Sequence, residues 1–223
     1  MGAAIGDVLP LALGVAISPI PVIAAILMLL SPKARVTSVG FLLGWVLGIV
    51  VAVTVFELLS SLLPEKDADA AQPIAGVVRI VLGALLLWLA LRQWRGRPRG
   101  DGEPPVPKWM QAIDRITFPR ALGLGFLLAA VNPKNLLMAV AAGVALGESG
   151  LGAGELVVVI AVYTLLAAST VLVPVVGYLL AARRLSGPLE SLRGWLLTEN
   201  AAIMAVLLLV LGVSMVGKGI GAL

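Results

Sequence analysis

The sequence predicts an all-α polytopic membrane protein of six transmembrane helices, arranged as two inverted three-helix repeats, and three observations carry that reading. Charged residues are 13% of the 223 and hydrophobic residues 60%, whereas a soluble domain carries about 25% charged residues. Too few polar side chains remain to coat a globule of this size, so the uncovered surface must face lipid. Apolar runs of about 20 residues recur, the length that crosses a ~30 Å hydrocarbon core, and mean hydropathy is +1.08. A closed barrel would instead show short segments of alternating polarity. Finally, the loops between the runs alternate in charge along the chain.

The helices are expected at 5–30, 36–61, 74–94, 120–146, 154–181 and 200–220. Ser31-Pro32-Lys33 ends the first run. The segment from Pro64 to Pro73 separates the second from the third, and glycines 147, 150, 152 and 154 separate the fourth from the fifth. The first run is expected to stay in the mature protein, because its first charge is Asp7 and no basic stretch precedes it. The chain then divides into a first repeat over 1–95, a basic linker over 96–119 and a second repeat over 120–223.

Loop charge sets the expected orientation. The loops after helices one, three and five hold Lys33 and Arg35, then Arg92, Arg95, Arg97, Arg99, Lys108, Arg115 and Arg120, then Arg183, Arg184 and Arg193. These are 12 of the 16 basic residues. The other two loops hold Glu65, Lys66, Asp67 and Asp69, then Glu148 and Glu155. The positive-inside rule places the basic loops in the cytoplasm of an inner-membrane protein and both termini outside. The net charge of +4 is then explained by loops beside anionic lipid, and no nucleic-acid partner is expected. Two stretches read either as short helices lying on the leaflet or as ordinary Trp and Arg anchors: 108–116, with Trp109, Ile113 and Ile116 on one face, and 188–197, with Leu189, Leu192, Trp195 and Leu196.

Two helix-breaking motifs fall at matching depth. Ser18-Pro19-Ile20-Pro21 interrupts the first helix and Asn132-Pro133-Lys134-Asn135 the fourth. Each lies about a dozen residues in, roughly 20 Å along the axis at 1.5 Å per residue. Each opens a three-helix half, and an odd number of crossings makes the second half enter from the opposite side. Proline removes a backbone donor and clashes one turn back, and the freed groups cannot face lipid. Paired breaks at corresponding places point to a transporter's central site; the plainer alternative is two kinks. Ser18, Pro19, Pro21, Asn132, Pro133, Lys134 and Asn135 are therefore the candidate substrate-binding residues. Lys134 either holds an anionic head group or bonds carbonyls freed by Pro133, and the two roles are compatible.

Glu57 is the candidate for proton coupling, since no other acid lies so far into an expected helix. It could pair with Arg79 near Asp7, or snorkel to the interface. Gly40, Gly44, Gly48 and Ala52 share a face suited to close helix packing. Tyr163, Thr164, Ser169 and Thr170, with Pro174 a turn later, either line a cavity or satisfy one another.

Across both halves the chain resembles the sulfolipid- and peptidoglycolipid-addressing proteins of actinobacteria, the GAP or Sap family of the lysine-exporter superfamily. The resemblance runs through Ala16-Ile17-Ser18-Pro19-Ile20-Pro21, Leu29-Leu30-Ser31-Pro32-Lys33-Ala34-Arg35, Phe41-Leu42-Leu43-Gly44-Trp45 and Asn132-Pro133-Lys134-Asn135-Leu136, and is weakest in the linker. It implies a six-helix duplicated transporter that exports a cell-envelope glycolipid or delivers it toward the surface. Partners would be the lipid itself and lipid-synthesis or export proteins, with room for a homo-oligomer. A small-solute exporter, for an amino acid or cation, and a non-transporting scaffold for lipid export are the competing readings.

An enzyme is not expected. Cysteine and histidine are both absent, which excludes thiolate chemistry and histidine triads or metal sites. No acidic metal cluster or glycine-rich phosphate loop occurs, so no metal and no cofactor is expected. Ser18 and Lys134 could serve a Ser-Lys hydrolase only if they were brought together.

Overall fold

The computed structural model describes residues 1–61, 68–96 and 116–222. Among them the fold is entirely helical: α1 (Gly2–Ala16), α2 (Pro19–Leu29), α3 (Ala34–Ser61), α4 (Ala68–Arg95), α5 (Phe118–Ala130), α6 (Pro133–Gly147), α7 (Ala153–Ala182) and α8 (Arg184–Ile220). Helices α3, α7, α8 and the Gly76–Arg95 part of α4 are each long and apolar enough to cross a membrane. The α1/α2 and α5/α6 pairs pass the same test as bent units, with bends of 52° and 61°, giving up to six spans. The chain is a membrane protein. Residues 97–115, which hold most of the central linker and of its 108–116 stretch, and the expected outer-loop charges Glu65, Lys66 and Asp67 lie outside the described residues.

The breaks fall where the prolines demand them. Proline at the first helical position is tolerated because that amide has no partner in any case, so Pro19 and Pro133 each start a new helix. Two boundaries differ from expectation. Helix α4 starts at Ala68, six residues before the expected 74. The expected loop over 182–199 is also helical: backbone helix runs from 153 to 220, interrupted only at Ala181 (φ −145°, ψ 48°). The 188–197 stretch is therefore the first part of α8, and the candidate span in that helix begins at Arg184. Leu189 and Leu196, seven residues apart on one face, are buried in the bundle, and their burial holds the segment in helix despite Pro188.

The chain reverses at Ala181. Glu148, just before α7, bonds Arg79 at one end of the bundle, and Lys218, near the end of α8, bonds Asp7 at the same end. Both ends of this helical run thus lie together, which a straight 68-residue helix could not achieve.

Helix α3 shows how small residues organise the packing. Gly40, Gly44, Gly48 and Ala52 face inward along α5, while Leu43, Leu47, Val51 and Val55 on the other side are exposed, as a lipid-facing stripe should be. A Cβ on Gly44 would overlap the Leu122 backbone, and one on Gly48 would lie 2.7 Å from the Ala129 Cβ. Further along, Phe56 and Ser60 meet Gly143 and Gly147 of α6. Helix α3 therefore runs parallel to the whole broken unit α5/α6. On the far side, Gly83 and Gly219 of α4 and α8 pack against Val216 and Ile80 in antiparallel fashion.

Candidate functional site

The two breaks meet. In an unbroken helix the Ser18 amide would bond the Gly14 carbonyl, and an amide at position 21 would bond Ile17. Pro21 has no amide hydrogen. The Ser18 amide turns instead to the Ala16 carbonyl at 2.8 Å, with Ile17 (φ −79°, ψ 60°) at the centre of an inverse γ-turn. The Gly14 and Ile17 carbonyls are thereby left without helix partners, in a bent unit apolar enough to cross a membrane, where backbone groups need partners from the protein itself.

Lys134 supplies the missing donors from the other half of the chain. Its ammonium donates to the Gly14 carbonyl at 2.6 Å, the Ile17 carbonyl at 3.2 Å and Ser18 Oγ at 2.5 Å. Ser18 Oγ in turn donates to Asn135 Oδ1 at 3.2 Å. Asn135 Nδ2 donates to the Leu128 carbonyl at 2.9 Å, the group that the Asn132 amide would bond in an unbroken helix. Thr170 of α7 adds a hydroxyl bond to the Ala16 carbonyl at 2.7 Å. The result is a continuous polar knot across the two halves, in which Ser18, Lys134 and Asn135 are 4%, 3% and 2% exposed.

Local sequence positions this knot. Asn132 caps α6, its side chain accepting from the Lys134 amide at 3.1 Å, and so aims the first turn of α6 at the first break. Lys134 and Asn135 are adjacent, and their directions diverge by about 100° on a helix of 3.6 residues per turn. One reaches across to α1 while the other also serves its own half. Gly14 permits the approach: a Cβ there would lie 2.7 Å from Leu211 and 2.9 Å from the Met138 sulfur.

Of the seven candidate binding residues, Ser18, Lys134 and Asn135 bond to one another, and Pro19 and Pro21 are buried beside them. Asn132 acts as a cap, and Pro133 is exposed on the bundle surface. Lys134 bonds carbonyls freed at the other half's break, not those freed by Pro133. With three acceptors for three hydrogens, its donors are all used.

Glu57 stands apart. The α3 backbone at Glu57 packs on Gly143, nine residues from Lys134 and roughly 14 Å along α6. The side chain is buried at 7% exposure, which corrects the snorkelling alternative, and its Oε2 has no hydrogen-bond partner among the described residues. Arg79, the alternative partner, bonds Glu148 instead, and Asp7 bonds Lys218 at 2.6 Å. Burial raises the Glu148 carboxyl above the usual carboxylate range, Arg79 opposes the rise and Asp7 adds to it. Sequence reading missed these pairings because the partners are 69 and 211 residues apart. Thr170 stood out only as one of four polar residues on its helix. Among the described residues, no group of three or more acidic side chains could hold a metal ion.

Residues 8–221 match the family model described as Sap, sulfolipid-1-addressing protein. No curated protein and no solved structure matches the chain. The family match spans both breaks and every residue of the knot between them, so the chain belongs to the Sap, sulfolipid-1-addressing protein, family.

Proposed function

We propose that this protein exports a cell-envelope glycolipid, or delivers it toward the cell surface, and that the knot of Ser18, Lys134 and Asn135 is the closed form of its central site. The observation that carries the reading is the reach of Lys134 from one broken helix to the carbonyls of the other. When the halves separate, that ammonium, the Gly14 and Ile17 carbonyls and the Asn135 amide become available to a polar head group. The family description supports a lipid as cargo. No enzymatic step is assigned to Ser18 and Lys134: Lys134 donates to Ser18, and Ser18 donates onward to Asn135.

The six spans read as two inverted three-helix repeats, as in the lysine-exporter superfamily. Supporting this, the long helix after each break contacts the broken unit of the other half. Gly48 of α3 meets Ala129 before the second break, and Thr170 of α7 meets Ala16 before the first. The loop charges support an inner-membrane orientation with both termini outside. In intact cells, Ala153→Cys is then expected to react with a membrane-impermeant thiol reagent and Lys33→Cys to resist it. The reverse pattern inverts the assignment.

The function is tested by comparing extracted surface lipids in a deletion strain and its complemented counterpart. Loss of one glycolipid from the surface, with restoration on complementation, is the expected result. Unchanged surface lipid with altered amino-acid or cation efflux would assign a small-solute exporter instead. If deletion of the linker abolished surface delivery while substitutions at Lys134 did not, the scaffold reading would replace both.

A further inference from the structure

At the end of the bundle where α1 begins, the two halves enclose a cavity of about 360 Å³, within the range of small-molecule sites. Its apolar wall includes Leu11, Ala141, Leu211 and Met215, and its rim includes Asp7, Arg79 and Lys218. A smaller cavity of about 200 Å³ shares Asp7 and Arg79 and adds Glu148. The larger cavity therefore carries two cations against one acid above a wall of hydrocarbon. Leu211 also packs at Gly14, whose carbonyl holds Lys134, so the cavity lies directly above the knot.

Both cations are held by carboxylates from the opposite half. Lys218 of the second half donates to Asp7 of the first, and Arg79 of the first donates to Glu148 of the second. These pairs are partly exposed, and such pairs are weak enough to exchange. An acid with better geometry toward a guanidinium and an ammonium, such as a sulfate, can displace an internal carboxylate. The apolar wall beneath would take the first methylenes of an attached chain.

We infer that this cavity is a second binding site, for the acidic head group and first chain segment of an anionic amphiphile, in which Arg79 and Lys218 bind the anion while Asp7 and Glu148 act as internal counter-ions that it displaces. The inference rests on the export reading only for the amphiphile's place in the cell; binding itself can be tested independently.

The chain contains no cysteine, so Ser214→Cys, at a lining position of the cavity, provides a single reporter thiol. Reconstituted in neutral phosphatidylcholine nanodiscs, it is treated with a neutral thiol reagent in the presence of decyl sulfate, decyl maltoside or sodium sulfate. Lys33→Cys, at the opposite end, serves as the control. Decyl sulfate is expected to slow labelling of Ser214→Cys about tenfold at roughly ten times its dissociation constant, because occupancy protects as one plus the ligand-to-constant ratio. The control rate should not change. Arg79→Gln with Lys218→Gln should abolish the protection, and Lys218→Gln alone, in the more exposed pair, should weaken it if the double variant does not fold. Asp7→Asn with Glu148→Gln should lower the half-protecting concentration about threefold or more, since the competing charges are gone; a purely structural pair would not respond this way.

Equal protection by decyl maltoside would mean that the cavity accepts hydrocarbon without reading the head group. Protection by sodium sulfate alone would make it a free-anion site, and protection that survives loss of both cations would remove them from it. Each result overturns the inference. A deletion strain with unchanged surface lipid would refute export and leave the labelling result intact; absent protection with a clear lipid phenotype would refute this site alone.

Discussion

Lys134→Met is expected to destabilise the protein and to abolish most surface delivery of its lipid. The substitution keeps much of the side-chain length and removes all three donors. The buried Gly14 carbonyl then loses its partner, at about 1–3 kcal/mol, the part-buried Ile17 carbonyl loses a weaker one, and the buried Ser18 hydroxyl loses its donor. Removing a desolvated cation offsets part of that loss, leaving a net cost of about 2–4 kcal/mol. Thermal unfolding of the purified variant measures this cost, and surface lipid from a complemented deletion strain measures the transport defect. Membrane insertion should be retained, because removing a charge from an apolar helix makes insertion easier. Wild-type unfolding together with full surface lipid would refute both the bonding role and the central-site proposal. Reduced stability with full surface lipid would leave the knot as a structural brace only.

The two asparagines flanking the second break are expected to differ sharply. Asn135→Leu preserves bulk but removes the acceptor for the Ser18 hydroxyl and the donor to the Leu128 carbonyl. The buried Ser18 hydroxyl between the halves and the part-buried Leu128 carbonyl at the second break are orphaned together, at about 2–4 kcal/mol in all. Asn132→Ala loses only a cap bond to the Lys134 amide, for which about 1 kcal/mol is the usual cost. Denaturation of both variants in the same detergent should therefore rank Asn135→Leu well below Asn132→Ala, with surface lipid following the same order. Equal costs would mean that Asn132 contributes beyond its cap and that the bond network described here is incomplete.

Much of the architecture was legible because it follows from local chemistry. A break at Ser18-Pro19 needs no tertiary information, since a proline amide cannot donate whatever surrounds it. The inward stripe of Gly40, Gly44, Gly48 and Ala52 was visible from a spacing of four. The continuity of α8 was not. Gly187-Pro188 reads locally as a boundary, whereas in the bundle the segment is helical and buries Leu189 and Leu196. Glu57 and Arg79 were open to a mutual pair or to snorkelling, and the packing gives neither for Glu57: Arg79 goes to Glu148, and the Glu57 side chain is buried.

By itself, the sequence determined that the chain enters the membrane, where its helices run apolar, where two of them break, and which residue types stand at each break. These are properties of single segments, set by hydrocarbon transfer and by backbone donors that proline lacks. The tertiary structure decided which groups answer the broken backbone. The donors for Gly14 and Ile17 come from Lys134, about 120 residues away, and no local rule selects that lysine over another. Its placement depends on α3 lying close along α5 and α6 and on Gly14 leaving room beside Leu211 and Met138. Buried polar groups must find partners wherever the packing brings them, and for that reason the identity of those partners could be read only from the assembled bundle.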